Sequence, residues 1–317
     1  MVSEIKIGIS SCLLGNGVRY DGGHKLDTFL KDTFGAFVEY IPVCPETECG
    51  LGIPREPMRL EGHSDDPKLM TIKSRKDITN KMKQWSIKRV NELKKKDLYG
   101  FIFKSKSPSC GIERVKVFIE NCTPIPKGTG MFAKEFMNRF PLIPVEDERR
   151  LHTHDLRQNF MERIFILRSW RDITKGTRTP GKLVKFHSEN KLLFFAHSEK
   201  HYRLMGKNVA EAGKKNIKEV YKTYEETMLE ALRLKATPHK HTNVLMHMLG
   251  YFKKVLSTDE KQELLEKITE YKDGYIPLIV PKTLINHYVR KYDERYLKNQ
   301  TYLNPHHIEL RLRNRLW

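Results

Sequence analysis

The stretch that decides the fold is IKIGISSCLLGNGVRYDGGHK, residues 5–25. Its opening run, IKIGIS (5–10), is apolar and β-branched, and reads as a buried strand. The run stops at Cys12, and a polar loop punctuated by Gly15, Gly17, Gly22 and Gly23 follows at once. Two more cysteines repeat the arrangement. Cys44 follows the apolar run FVEYIPV (37–43), and Cys110 follows LYGFIFK (98–104) across the loop SKSPS. Between them, NKMKQWSIKRVNELKKK (80–96) sets Met82, Trp85, Ile87, Val90 and Leu93 near a helical period. VKVFI (115–119) reads as a fourth strand and MFAKEFMNRF (131–140) as another helix. Helices alternating with buried strands imply a parallel, Rossmann-like α/β sheet.

In such a sheet the carboxyl ends of the strands share one edge, and ligands bind in the crevice there. Cys12, Cys44 and Cys110 can therefore converge although they are far apart in the chain. No pair forms a CxxC, which excludes a zinc ribbon or a thioredoxin motif. Three convergent thiolates suit a soft metal or an iron–sulfur cluster. Thiols at strand ends are also ordinary core residues, and spacing alone leaves both readings open. Cys49, five residues after Cys44, is a candidate fourth ligand, and Cys122 reads as structural. Glu46 (in CPE), Asp21, Ser107 and Ser109 are acid–base candidates beside the thiols. The competing reading is that Glu46 caps a helix and the serines cap loops. A cysteine-nucleophile hydrolase is a weaker alternative, because His24 is the only histidine near these motifs.

The alternation ends at RFPLIPVEDERRL (139–151), whose prolines and acids mark a boundary near residue 150. The expected domains are 1–150 and 151–317, the second mostly α-helical. Its helices carry recognisable ends, such as STDEKQELLEKI, with Ser257 or Thr258 as the cap and acids in the first turn. The loop GTRTPGK (176–182) interrupts them. At 317 residues with 39% hydrophobic content, the chain is long and apolar enough for two cores. No apolar stretch approaches a membrane span. The start lacks the basic, small-residue pattern of a signal peptide, and five cysteines confined to the first 122 residues do not form a disulfide framework. The expected location is cytoplasmic.

Charge separates the halves. Residues 1–150 carry 26 Lys and Arg against 20 Asp and Glu, whereas residues 151–317 carry 32 against 19. The overall net charge is +19, and an excess of this size favours a polyanionic partner, most often nucleic acid. Aromatics interleave with cations in HYRLMGK, YFKK and HYVRKYDERYLKNQTYLNPHH. Such side chains can stack on unpaired bases, or they can be core residues with snorkelling basic neighbours. His197 and His201 have an i, i+4 spacing compatible with a metal but lack an obvious third ligand, which favours a hydrogen-bonded pair.

Four ordered motifs, SSCLLGNGVRYDGGHK, PVCPE, GIPREPMRL and KSKSPSCG, together resemble the thiouracil desulfidase family over residues 4–150. From FHSENKLLFFAHSEKHYRLMGKNVAEAG through LMHMLGYFKK to YLNPH, the second half resembles the YbgA-type domain fused to it. The resemblance implies a 4Fe–4S cluster held by Cys12, Cys44 and Cys110, with Glu46 and Ser107 as catalytic residues. It implies a thiolated uracil as substrate, its sulfur replaced by oxygen from water and released as sulfide. The basic helical half adds RNA, such as tRNA thiouridine, as the expected partner. The rival class is a non-enzymatic nucleic-acid-binding protein with a structural metal site.

Overall fold

The computed structural model describes residues 5–119, 123–306, 308, 309 and 312. Cys122 lies outside the described residues. The chain divides into two compact units, one running to Ile164 and the other beginning at Phe165. The division falls inside a helix rather than in the proline-rich stretch near residue 150.

The first unit is built on a four-stranded, all-parallel sheet of order β2-β1-β5-β8. Its strands are β1 (Lys6–Ser10), β2 (Glu39–Val43), β5 (Gly100–Phe103) and β8 (Val145–Asp147). β1 and β5 are central and buried, as their unbroken apolar runs require. β2 is an edge strand, half-buried, and so tolerates Pro42. On one face, α2 (Thr79–Lys94) and α3 (Met131–Arg139) bury Val90, Leu93, Phe132 and Phe136 against Phe101 and Phe103. Gly8 makes this packing possible, because a Cβ there would lie 2.2 Å from the Phe101 ring. The opposite face carries Ile7 and Ile9, both fully buried.

VKVFI does not join this sheet. It forms β6 (Val115–Phe118) of a second sheet, order β4-β3-β6-β7, with β3 (Met58–Glu61), β4 (Lys68–Thr71) and β7 (Ile125–Gly128). β6 pairs parallel with β3 and antiparallel with β7. The fourth parallel strand is instead β8, inside the stretch read as a boundary. Its acids are buried yet partnered: Glu146 accepts from Arg150 at 2.6 Å, and Asp147 caps α4 (Glu148–Leu151). Beyond it runs α5 (His154–Thr174).

The second unit is helical: α6 (Pro180–His197), α7 (Glu199–Ala210), α8 (Ile217–Arg233), α9 (Pro238–Leu249), α10 (Thr258–Lys272), α11 (Ile279–Lys291) and α12 (Arg295–Lys298). Its core centres on Trp170, which stacks on Tyr224 at 5.1 Å and meets the Phe186 ring at 5.2 Å. Thr179 in GTRTPGK caps α6, and Ser257 forms a full capping box with Glu260 at α10. His197 and His201 do not share one helix. Ser198, at φ −161°, breaks the chain between α6 and α7. His197 Nδ1 bonds to Leu234 O at 2.6 Å, whereas His201 Nδ1 faces Ser198 Oγ at 2.8 Å. Among the described residues, no helix is long and apolar enough to cross a membrane.

Candidate active site

The carboxyl ends of β2, β1 and β5 open onto a cavity of about 340 Å³ lined by Cys12, Cys44 and Cys110 together with Arg19, Glu46, Arg55, Lys104 and Ser107. The sheet order sets this up, because the three thiols follow three adjacent strands. Cys12 sits in a single 3-10 turn, Ser11–Leu14, immediately after β1. Gly15, at φ +90°, ends that turn in a left-handed conformation that a side chain would oppose. Cys44 is the cap residue of the short helix α1 (Pro45–Glu48).

Cys110 is held by a folded turn. Ser107 Oγ accepts from the backbone N–H of Ser109 (3.2 Å) and of Cys110 (3.1 Å). The first amides of α3 then dock on the same turn: Met131 N donates to Pro108 O, and Phe132 N donates to Ser109 O. Gly130 rides directly on the turn, where a Cβ would meet Ser109 C at 2.6 Å and Cys110 N at 2.7 Å.

Glu46 is shaped by partners that spacing did not disclose. Arg55 donates to Glu46 Oε2 from Nε at 3.0 Å and from Nη2 at 2.5 Å. Ser109 Oγ donates to Oε1 at 3.0 Å. Arg55 also ties the walls together, donating to Val18 O and Gly52 O. The capping role falls to Glu48, whose carboxylate accepts from Cys44 N at 2.8 Å. Glu46 is thus left for the cavity. Lys104, at the end of β5, donates to Glu148 Oε1 at 2.5 Å, and Ser105 donates to the same carboxylate. Burial pushes the Glu148 carboxyl up, but these bonds outweigh it and hold the group below the usual range. Arg55 and Lys104 were missed in the sequence reading. Their only signals were a lone cation inside the PREP run and a basic residue closing an apolar strand.

The remaining candidates lie elsewhere. Cys49 does not line the cavity: its Sγ donates to Glu46 O at 3.4 Å, and it packs with Leu60, Leu69, Ile78 and Met82. Asp21 is exposed, and its carboxylate accepts from Gly23 N within its own loop. His24 Nδ1 accepts from Leu26 N on the surface.

The Cys12 thiol is pushed up to about 11, chiefly by burial and then by Cys44, against the opposing pull of Lys104 and Arg19. Burial likewise pushes Cys110 well above the ordinary thiol range, with Cys12 and Cys44 adding to it. The three thiols therefore feel one another. Yet among the described residues no three His, Cys, Asp or Glu side chains close tightly enough to hold one metal ion. The donor set is soft, which suits iron–sulfur chemistry.

A parallel α/β sheet with three thiols and a clamped carboxylate at its carboxyl edge forms a thiol-lined crevice. Comparison with known proteins specifies it further. Residues 7–148 match the family described as 2-thiouracil desulfurase, and residues 191–307 match the family described as protein of unknown function DUF1722. The uncharacterized protein YbgA of Escherichia coli (strain K12) is 37% identical over 152 residues, covering 47% of this chain and 90% of that protein. Among solved structures, the 4Fe–4S-dependent thiouracil desulfidase TudS is similar at 29% identity, covering 47% of this chain and 94% of that one, with a TM-score of 0.40. The chain belongs to the thiouracil desulfidase family through its N-terminal domain, fused to a YbgA-type domain.

Proposed function

We propose that the chain is a desulfidase that exchanges the C=S of a thiolated uracil and a water molecule for C=O and hydrogen sulfide. The observation that carries this reading is the convergence of Cys12, Cys44 and Cys110 on one cavity with Glu46 in its wall. Cys12, Cys44 and Cys110 would hold a 4Fe–4S cluster, which supplies a soft Lewis acid for the substrate's sulfur.

The chain's own residues supply the rest. Glu46, its Oε2 anchored by Arg55, presents Oε1 as the acceptor for a proton of the attacking water. Ser109 fixes the orientation of that oxygen through its Oγ–H. Ser107 shapes the wall by gathering the amides of the Cys110 turn, and its position in the cavity suits contact with the base. Arg19 and Lys104 bring positive charge to the same space, which stabilises thiolate and developing negative charge. The base would be presented free or within RNA such as tRNA thiouridine. The net charge of the helical half supports the RNA form.

The test is anaerobic purification with iron and sulfide analysis, followed by turnover on free thiouracil, thiouridine and thiolated tRNA in parallel. Cys12→Ala, Cys44→Ala and Cys110→Ala should each lose iron and activity, whereas Cys49→Ala should keep both. A colourless, iron-free wild-type protein after reconstitution would overturn the reading. Iron loss in Cys49→Ala equal to that in the other three would overturn the ligand assignment.

A further inference from the structure

The stretches in which the sequence interleaves aromatics with cations come together in the helical unit. Tyr202 comes from α7, Tyr251 from the turn after α9, and Tyr296 from α12. Several of their neighbours are plain core: Phe252 is 0%, Tyr288 2% and Tyr302 3% exposed. These three tyrosines are not. Tyr251 and Tyr296 stack at 5.0 Å with 16° between their planes, and Lys191 Nζ on α6 lies 4.6 Å from the Tyr296 ring. His247 meets Tyr251 edge-on at 5.6 Å, and Phe195 bridges His247 at 6.0 Å and Tyr202 at 5.4 Å. The Tyr202 phenol is near enough to raise both other phenols, and Lys191 acts electrostatically on His247.

The Tyr251 and Tyr296 hydroxyls interact with each other. Beyond that, Lys191, Tyr202, His247, Tyr251 and Tyr296 have no side-chain hydrogen-bond partner among the described residues, and the Tyr296 hydroxyl is buried. Among the described residues Lys191 meets no carboxylate. Glu294, the acid that acts on Tyr251, accepts from Tyr296 N at 3.1 Å. A half-buried ammonium with no carboxylate partner among the described residues, set among phenol rings, is matched by an anion rich in acceptors. Tyr251 is 36% exposed, so its outer face is open to a planar ring.

We propose that this cluster is a nucleotide-binding site in which Lys191 takes the phosphate while the outer face of Tyr251 stacks the base. The site lies wholly within the helical unit. Its ligand is a nucleotide, whether free or one unit of a polynucleotide.

Equilibrium binding to the full chain tests it, with inorganic phosphate, UMP and a short oligouridylate as probes. Lys191→Met should weaken phosphate and UMP alike by at least tenfold, and Lys191→Arg should restore most of the loss. Tyr251→Leu should weaken UMP several-fold and leave phosphate unchanged. Tighter binding of oligouridylate than of UMP identifies a polynucleotide as the source, and equal binding identifies a free mononucleotide. The proposal is overturned if wild-type protein binds neither phosphate nor UMP at millimolar concentration. It is equally overturned if Lys191→Met and Tyr251→Leu, with wild-type circular dichroism, bind as wild type does. Binding is read without turnover, so failure of the desulfidase reading leaves this result intact.

Discussion

Gly130→Ala isolates the contact that holds Cys110 in place. Gly130 has φ −61° and ψ 144°, which alanine adopts freely, so backbone strain contributes nothing. The whole effect is the new methyl, which would lie 2.6 Å from Ser109 C and 2.7 Å from Cys110 N and Gly111 N. Ordinary contact begins near 3.4 Å, so the turn or the start of α3 must retreat by about 0.8 Å. All three atoms are backbone, and no side chain can rotate away. Overpacking of this kind costs about 1–3 kcal/mol. A loss near 2 kcal/mol lowers the melting midpoint by about 4–8 °C for a domain of this size. The same shift carries the Cys110 thiol with it, so iron retained per chain after anaerobic reconstitution should fall as well. Gly181→Ala is the control, since a Cβ there meets nothing within 4 Å. Thermal melts and iron analysis of both variants decide the matter. If Gly130→Ala melts within about 1 °C of wild type and loads iron normally, α3 does not brace the Cys110 turn.

Two further outcomes follow from the geometry. Arg55→Lys replaces a fork that grips Glu46 Oε2 through two nitrogens with a single ammonium, so turnover should fall about tenfold while iron content stays constant; unchanged turnover would show that Glu46 needs no clamp. His187 is pushed down to about 4, first by burial and then by Lys191, from an ordinary 6.5. The folded state therefore resists protonation: its stability is complete above pH 6.5 and is lost as pH falls through about 4, amounting to roughly 2–3 kcal/mol by pH 4.5. Urea melts at pH 7 and 4.5 should show that loss in wild type and a smaller one in His187→Gln; parallel losses would sink the assignment.

The cysteine-bearing half of the fold was legible because β1 and β5 are unbroken apolar runs ending at a thiol-bearing loop, and this pattern has few other readings. The second sheet was not legible. Its strands are four residues long; KLMT and IPKG carry no alternation, and that of MRLE is too short to reveal a face. β8 was hidden for a different reason: Pro141 and Pro144 look like linker, and its acids look solvated until Arg150 is seen to neutralise one. At the site, Glu46 stood out by its position beside Cys44. Arg55 did not, because its partner lies nine residues back and only the folded loop aims the guanidinium. The His197–His201 spacing misled because Ser198 is a far better helix cap than a mid-helix residue.

The bracing of the Cys110 turn by α3 has a temporal consequence. During synthesis, β1, β2 and β5 can pair as soon as residue 103 is free of the ribosome, so Cys12 and Cys44 find their places early. The turn that carries Cys110 gains its braces only when Met131 and Phe132 have emerged to bond Pro108 and Ser109. Until then the nascent chain shows an incomplete pair of thiols. On the proposed ligand set, a metal group delivered before that point would meet two thiols instead of three, and the turn that completes the set is braced by a helix that contributes no ligand of its own.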